Sequence, residues 1–159
     1  MIRERLEQDL RVLCGIVEGL SPLPGHHSGS DPLAWLGRRE GGLCWVFDMA
    51  PVSVTPTANV AGHVQMYPLA GQDPGWTAIG QLVVRPEKHD HGIARYLLRE
   101  SVRHVREAGG TPVLDLDTCL FRSEELFRRC GFESLPDSRG TGSLLVHRGE
   151  VSRARSRTA

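Results

Sequence analysis

At 159 residues, 40% hydrophobic and 24% charged, the chain is long enough for one domain with a full core and too short for two of ordinary size. The 19 basic side chains are offset by 19 acidic ones, which excludes the overall positive field of a general nucleic-acid binder. No apolar run approaches the roughly 18 residues of a membrane span, and the opening MIRERLEQDL is too charged for a signal peptide, so the expectation is a cytoplasmic protein with neither a membrane nor a nucleic-acid partner.

In chain order, Ile2, Leu6, Leu10, Leu13, Ile16, Val17 and Leu20 recur at spacings of three and four, which predicts an amphipathic helix from residue 2 to near Gly19. Residues 21–32 are too rich in Pro, Gly and Ser for regular structure and read as a loop, followed by a helical turn over 33–39. Residues 43–47, 59–67 and 76–84 are rich in β-branched and aromatic side chains and read as strands, the last stopped by Pro86. A helix over 92–108 places Ile93, Leu97, Leu98, Ser101, Val102 and Val105 on one face and Arg95, Arg99, Arg103 and Arg106 outside, and closes at Gly109-Gly110.

A strand is predicted over 113–118, with Leu114 and Leu116 on one face and Asp115 and Asp117 on the other. Ser123 is placed to cap a short helix that ends before Gly131, and 143–147 reads as a last strand. The tail beyond residue 148 has arginines at 153, 155 and 157 and almost no apolar content, and is expected to be disordered. The order argues for one mixed sheet covered by helices. Cys14, Cys44, Cys119 and Cys130 form no Cys-x-x-Cys pair and read as reduced thiols, and neither His89-Asp-His91 nor His26-His27 has metal-ligand spacing, so no metal is expected.

The junction of the third strand and the second long helix, LVVRPEKHDHGIARYLL from Leu82 to Leu98, carries most of the chemical information. A strand that runs through a glycine-containing loop into a helix presents unpaired backbone N–H groups backed by the positive end of the helix dipole, which suits phosphate. Gly92 lets the backbone approach such a ligand, and Ala94 keeps the next position small.

With Val84-Arg-Pro86, then His89-Asp-His-Gly92-Ile-Ala94, and later Leu126-Phe-Arg-Arg-Cys-Gly-Phe132, the sequence resembles the GNAT acetyl-coenzyme A-dependent N-acetyltransferases over roughly residues 2–148. The resemblance implies an α+β domain with α/β/α layering: a mixed, mostly antiparallel sheet, splayed at the acetyl-coenzyme A site, with helices on both faces. It implies that Leu82, Val83 and Val84 pair with the pantetheine arm, and that His89, Asp90, His91, Gly92, Ile93, Ala94 and Arg95 hold the pyrophosphate. The activity implied is acetyl transfer from acetyl-coenzyme A to a primary amine, small molecule or peptide, by direct attack in a ternary complex.

Three positions depart from the family pattern. His89 stands where Gln or Arg is usual, and Phe127 stands where a tyrosine often protonates the leaving thiolate, with Leu120 where an asparagine is common. No glutamate lies on the strand 76–84, which leaves His63 and Asp117, with Asp115, as candidates for the base that deprotonates the acceptor. For His63 the competing reading is a buried histidine satisfied by a backbone carbonyl, and for Asp117 a cap of the next turn. The alternative functions are a non-catalytic acetyl-coenzyme A-binding module of the same fold and a domain that binds neither substrate. A homodimer through an exposed strand edge is also compatible with the pattern.

Overall fold

The computed structural model describes residues 1–20, 31–49, 59–69, 75–88, 92–134 and 144–149. His89, Asp90, His91 and the tail from residue 150 lie outside these, as do most of the loop 21–32 and of the segment 48–57 expected to shape an acceptor pocket.

The elements run β1 (Ile2–Glu4), α1 (Asp9–Gly19), α2 (Pro32–Trp35), β2 (Leu43–Asp48), β3 (Val60–Pro68), β4 (Trp76–Val84), α3 (Gly92–Glu107), β5 (Thr111–Asp115), α4 (Glu124–Arg129), β6 (Phe132–Ser134) and β7 (Leu144–His147), with single 3-10 turns at Pro86–Lys88 and Leu116–Thr118. The strands form one sheet in the order β1-β2-β3-β4-β5-β7-β6. All neighbours are antiparallel except β4 and β5, whose parallel ladder runs from Trp76↔Thr111 to Ile79↔Leu114.

Helices cover both faces, as the sequence predicts. On one, Ile93, Leu97, Leu98 and Val105 of α3 and Leu126 and Phe127 of α4 pack on Val64, Met66, Ile79, Leu82, Val84 and Leu114. On the other, Leu13, Ile16 and Val17 of α1 and Trp35 of α2 pack with Leu36 on Val46, Val60 and Val83. Each such side chain removed from water contributes about 1.5–3 kcal/mol, so the two apolar layers hold the sheet from both sides. The end of α3 shows the local logic. Gly109 turns the chain at φ +83°, and the N–H groups of Gly110 and Gly109 close onto the carbonyls of Val105 and Arg106 (both 2.9 Å).

Two expectations are corrected, and one element is new. The first helix does not begin at Ile2, because Ile2–Glu4 pairs with β2 (Ile2↔Phe47, Glu4↔Trp45) and the helix starts only at Asp9. Ile2, Leu6 and Leu10 keep a helical spacing, but ion pairs tie the strand down: Arg3 bridges Asp9 (2.7 Å) and Asp48 (3.0 Å), and Asp9 Oδ2 accepts the Leu6 N–H (2.7 Å). Second, the strand expected over 113–118 spans Thr111–Asp115, and Asp117 sits on the turn that follows. The new element is β6, paired with β7 through Phe132↔His147 and Ser134↔Leu145; only Phe132 of its three residues is buried, so it leaves no alternating pattern.

The outer strands β1 and β6 are three residues each, which gives an edge-to-edge dimer few backbone groups to use. Among the described residues no helix is long and apolar enough to cross a membrane.

Candidate active site

The sheet opens where β4 and β5 stop pairing. Beyond Ile79↔Leu114 the β5 chain curls into the Leu116–Thr118 turn, and at the same level β4 carries one extra residue against β3: Gln65 is paired with Gly80, but His63 with Val83. The irregularity sits at Gln81, which adopts φ +49°, a conformation L side chains rarely take and that costs about 1–3 kcal/mol. It is held because every polar group of Gln81 has a partner. Its N–H donates to Thr118 Oγ1 (2.9 Å) and its carbonyl accepts from His63 Nδ1 (3.0 Å). Its amide donates to the Trp35 carbonyl (2.6 Å) and accepts from Gln65 Nε2 (2.6 Å). Gln65 Oε1 in turn accepts the Arg39 N–H (2.8 Å), so the bulge, α2 and the loop after it are one hydrogen-bonded unit.

On the α2 side of this opening, the Tyr67 ring of β3 crosses over β4 to β5, and its hydroxyl donates to Asp115 Oδ2 (2.5 Å). It can cross because position 80 is glycine: a Cβ there would stand 2.8 Å from the Tyr67 oxygen and collide with Thr118 Oγ1. Burial and the adjacent Asp115 carboxylate push the Tyr67 phenol well above its usual pKa, so it remains a proton donor. Tyr67 is buried, whereas Asp115 stays partly open to solvent. Outside the ring, the Arg39 guanidinium carbon lies 4.3 Å from its centroid.

His63 is fully buried with both ring nitrogens committed. A carbonyl can only accept, so Nδ1 carries the proton toward Gln81 O, and Nε2 therefore accepts from Arg5 Nη1 (3.0 Å). Burial first, and Arg5 in addition, press its pKa down to about 3. With its lone pair capped by a guanidinium, His63 is a structural residue of the bulge and has no free atom to act as the base. Asp117 is exposed on the turn and makes no hydrogen bond or ion pair among the described residues. The structure brings Asp115, and not Asp117 or His63, together with Tyr67 and Thr118.

On the opposite side of the sheet, a groove of about 910 Å³ runs between α3 and α4 from Gly92 past Arg95, Arg99 and Arg103, with Arg129 across it and Leu126 in its floor. Arg103 is paired with Glu100 (2.5 Å) and Arg129 with Glu125 (2.6 Å), whereas Arg95 and Arg99 have no carboxylate partner among the described residues. Both lower the pKa of the Cys130 thiol in the groove, although burial outweighs them and leaves it raised. Arginines one helical turn apart, starting at a helix N-terminus, suit a ligand with several phosphates. Gly92 is exposed there, while Ile93 and Ala94 are buried against the core.

Leu82, Val83 and Val84 are fully buried. Val83 faces His63 in the β3 ladder, and the Leu82 carbonyl accepts the N–H groups of Leu120 (2.9 Å) and Phe121 (3.0 Å). Of the three residues expected along the pantetheine arm, Leu82 thus already has its carbonyl held by the chain's own backbone. Phe127 is buried in the core, and its ring brings no proton donor to the site.

Parted parallel strands, a strained bulge on β4 beside them and an arginine groove at a helix N-terminus suit a protein that binds a phosphate-bearing ligand next to an opened sheet. The model of the acetyltransferase (GNAT) family matches residues 14–132, and the chain belongs to that family. It is accordingly an acyltransferase that uses acetyl-coenzyme A.

Solved structures with the same fold include a GNAT family acetyltransferase from Brucella melitensis in complex with acetyl-coenzyme A (21% identity, 92% of this chain and 95% of that one, TM-score 0.58). Another is the N-acetyltransferase YhbS from Escherichia coli in complex with coenzyme A (22% identity, 93% and 80%, TM-score 0.61). A third is an acetyltransferase from Trypanosoma brucei (22% identity, 87% and 95%, TM-score 0.60). No curated protein matches the sequence.

Sequence reasoning missed Tyr67, Gln81 and Thr118. A glycine on a strand that must otherwise be packed, Gly80, was the available signal that a side chain crosses there.

Proposed function

We propose that the protein transfers the acetyl group of acetyl-coenzyme A to an amine by direct attack, with the coenzyme's phosphates in the α3–α4 groove and the amine on the α2 side of the opening. Asp115 is the group that receives the acceptor's proton. The observation that carries this reading is the Tyr67–Asp115 hydrogen bond across Gly80 (2.5 Å), which fixes a partly exposed carboxylate beside the point where β4 and β5 part. Acetyl-coenzyme A supplies an activated acyl carbon and a thiolate leaving group. The protein holds both reactants in place, which removes most of the entropic barrier.

Asp115 Oδ1, the oxygen that does not receive the Tyr67 hydroxyl, is the one available to the ammonium, and Tyr67 keeps the carboxylate oriented throughout. Neighbouring structures include a spermidine N-acetyltransferase chimera and an N-acetylglutamate synthase complexed with coenzyme A and L-arginine, consistent with a nitrogen acceptor for this chain. The test is release of free thiol from acetyl-coenzyme A against a broad amine panel, alongside thermal melting with and without the coenzyme. An upward melting shift with amine-dependent thiol release supports the reading. A shift without release from any amine makes the chain a binding module, and no shift removes the coenzyme site.

A further inference from the structure

Building on the function proposed above, we infer that the acceptor is a zwitterion: an amine that also carries a carboxylate a few bonds away, with Asp115 facing the ammonium and Arg39 binding the carboxylate. Tyr67 holds the two charges apart. Its hydroxyl grips Asp115 at one end of the ring (2.5 Å), and the Arg39 guanidinium rests over the ring face at 4.3 Å. Arg39 and Asp115 are not bonded to each other, and Arg39 has no carboxylate partner among the described residues, so both charges remain available to a ligand. A guanidinium held by a ring face keeps its N–H edge for a planar acceptor, and a carboxylate matches that fork with two parallel hydrogen bonds.

The arrangement is built rather than incidental. The Arg39 main-chain N–H is fixed to Gln65 Oε1 (2.8 Å), Gln65 is fixed to Gln81 (2.6 Å), and Gln81 is the bulge that shapes the opening. The base of the Arg39 side chain is thus anchored to the same unit that positions the reaction, while its guanidinium stays exposed to solvent. The same geometry selects against a diamine. Its second ammonium would meet Arg39 across one phenol ring, a like-charge contact that costs affinity.

The experiment offers three series with matched amines: free L-α- and ω-amino acids, their carboxamides, and the decarboxylated amines, including diamines. Thiol release from acetyl-coenzyme A is followed for the wild type, Arg39→Gln and Arg39→Lys, and the melting shift with acetyl-coenzyme A shows that each variant keeps its fold and coenzyme site. The expected result is at least one free amino acid used roughly 10–100-fold better than its amide, as loss of a hydrogen bond to a charged group implies. Arg39→Gln should raise KM for that acid by the same factor, with Arg39→Lys between, and should leave the amide unchanged. Amides or plain amines used as well as the acids, or an Arg39→Gln effect equal on both, overturns the inference while leaving the proposed function standing. No release from any of the three series overturns the proposed function and the inference with it.

Discussion

Acid should weaken this fold through His63. The imidazole is fully buried, donates from Nδ1 to Gln81 O and accepts from Arg5 at Nε2, so it cannot take a proton without placing a second cation against a guanidinium. Its pKa is lowered from the ordinary 6.5 to about 3. A lowered folded-state pKa means that the unfolded chain binds the proton first: the stabilisation is complete above 6.5 and declines as pH falls toward 3. At about 1.4 kcal/mol per pH unit, one such group removes about 2–3 kcal/mol between pH 6.5 and 4.5. Carboxylates also titrate in this range, so the assay is a comparison: urea midpoints at pH 7.5 and 4.5 for the wild type and for His63→Gln, which can keep a donor toward Gln81 but does not titrate. The wild type should lose about 2–3 kcal/mol more than the variant. Equal losses would refute the reasoning, because they would mean that His63 is protonated freely in the folded protein.

Three further outcomes follow from the same geometry. Arg95→Gln and Arg99→Gln should each weaken acetyl-coenzyme A binding about tenfold while leaving acetyl-pantetheine, which has no phosphates, unaffected; calorimetric titration with both ligands distinguishes a phosphate contact from general damage. Gly80→Ala should cost about 1–3 kcal/mol in thermal unfolding and depress turnover, since the added methyl forces Tyr67 and Thr118 aside; an unchanged melting temperature would show that the ring does not lie against position 80. Ser123→Ala should cost about 1 kcal/mol, because the Ser123 hydroxyl accepts the Leu126 N–H (3.3 Å) at the start of α4.

What the sequence reveals here is what local periodicity encodes. The apolar stripe Ile93, Leu97, Leu98, Val105 is buried as its spacing requires, and the Ser123 cap and the glycine stop after α3 are local signals that survive folding. β1 was hidden because its pairing is with β2, more than forty positions away, and residues with helical spacing can still be claimed by such a partner. The bulge was illegible for a similar reason: nothing around Gln81 marks a positive φ, which is sustained only by Thr118, Trp35 and the β3 residues His63 and Gln65, from three other parts of the chain.

The family was legible because its motif, Val84-Arg-Pro86 to Gly92-Ile-Ala94, is continuous in sequence. The acceptor side was not, because Tyr67 and Asp115 meet across 48 positions of sequence. Of the base candidates weighed from strand placement, the two first in line were a buried structural histidine and an exposed aspartate. Only the fold shows that Asp115 is the carboxylate held by Tyr67.

The most direct test of the account is the Asp115→Asn variant, measured for acetyl-coenzyme A affinity and for kcat on an accepted amine. Asparagine can still accept the Tyr67 hydroxyl, so the fold and the coenzyme affinity should be preserved while kcat falls by about 100-fold or more, as expected for loss of a general base. Wild-type kcat in Asp115→Asn would contradict the account, because the proton would then leave the acceptor by another route.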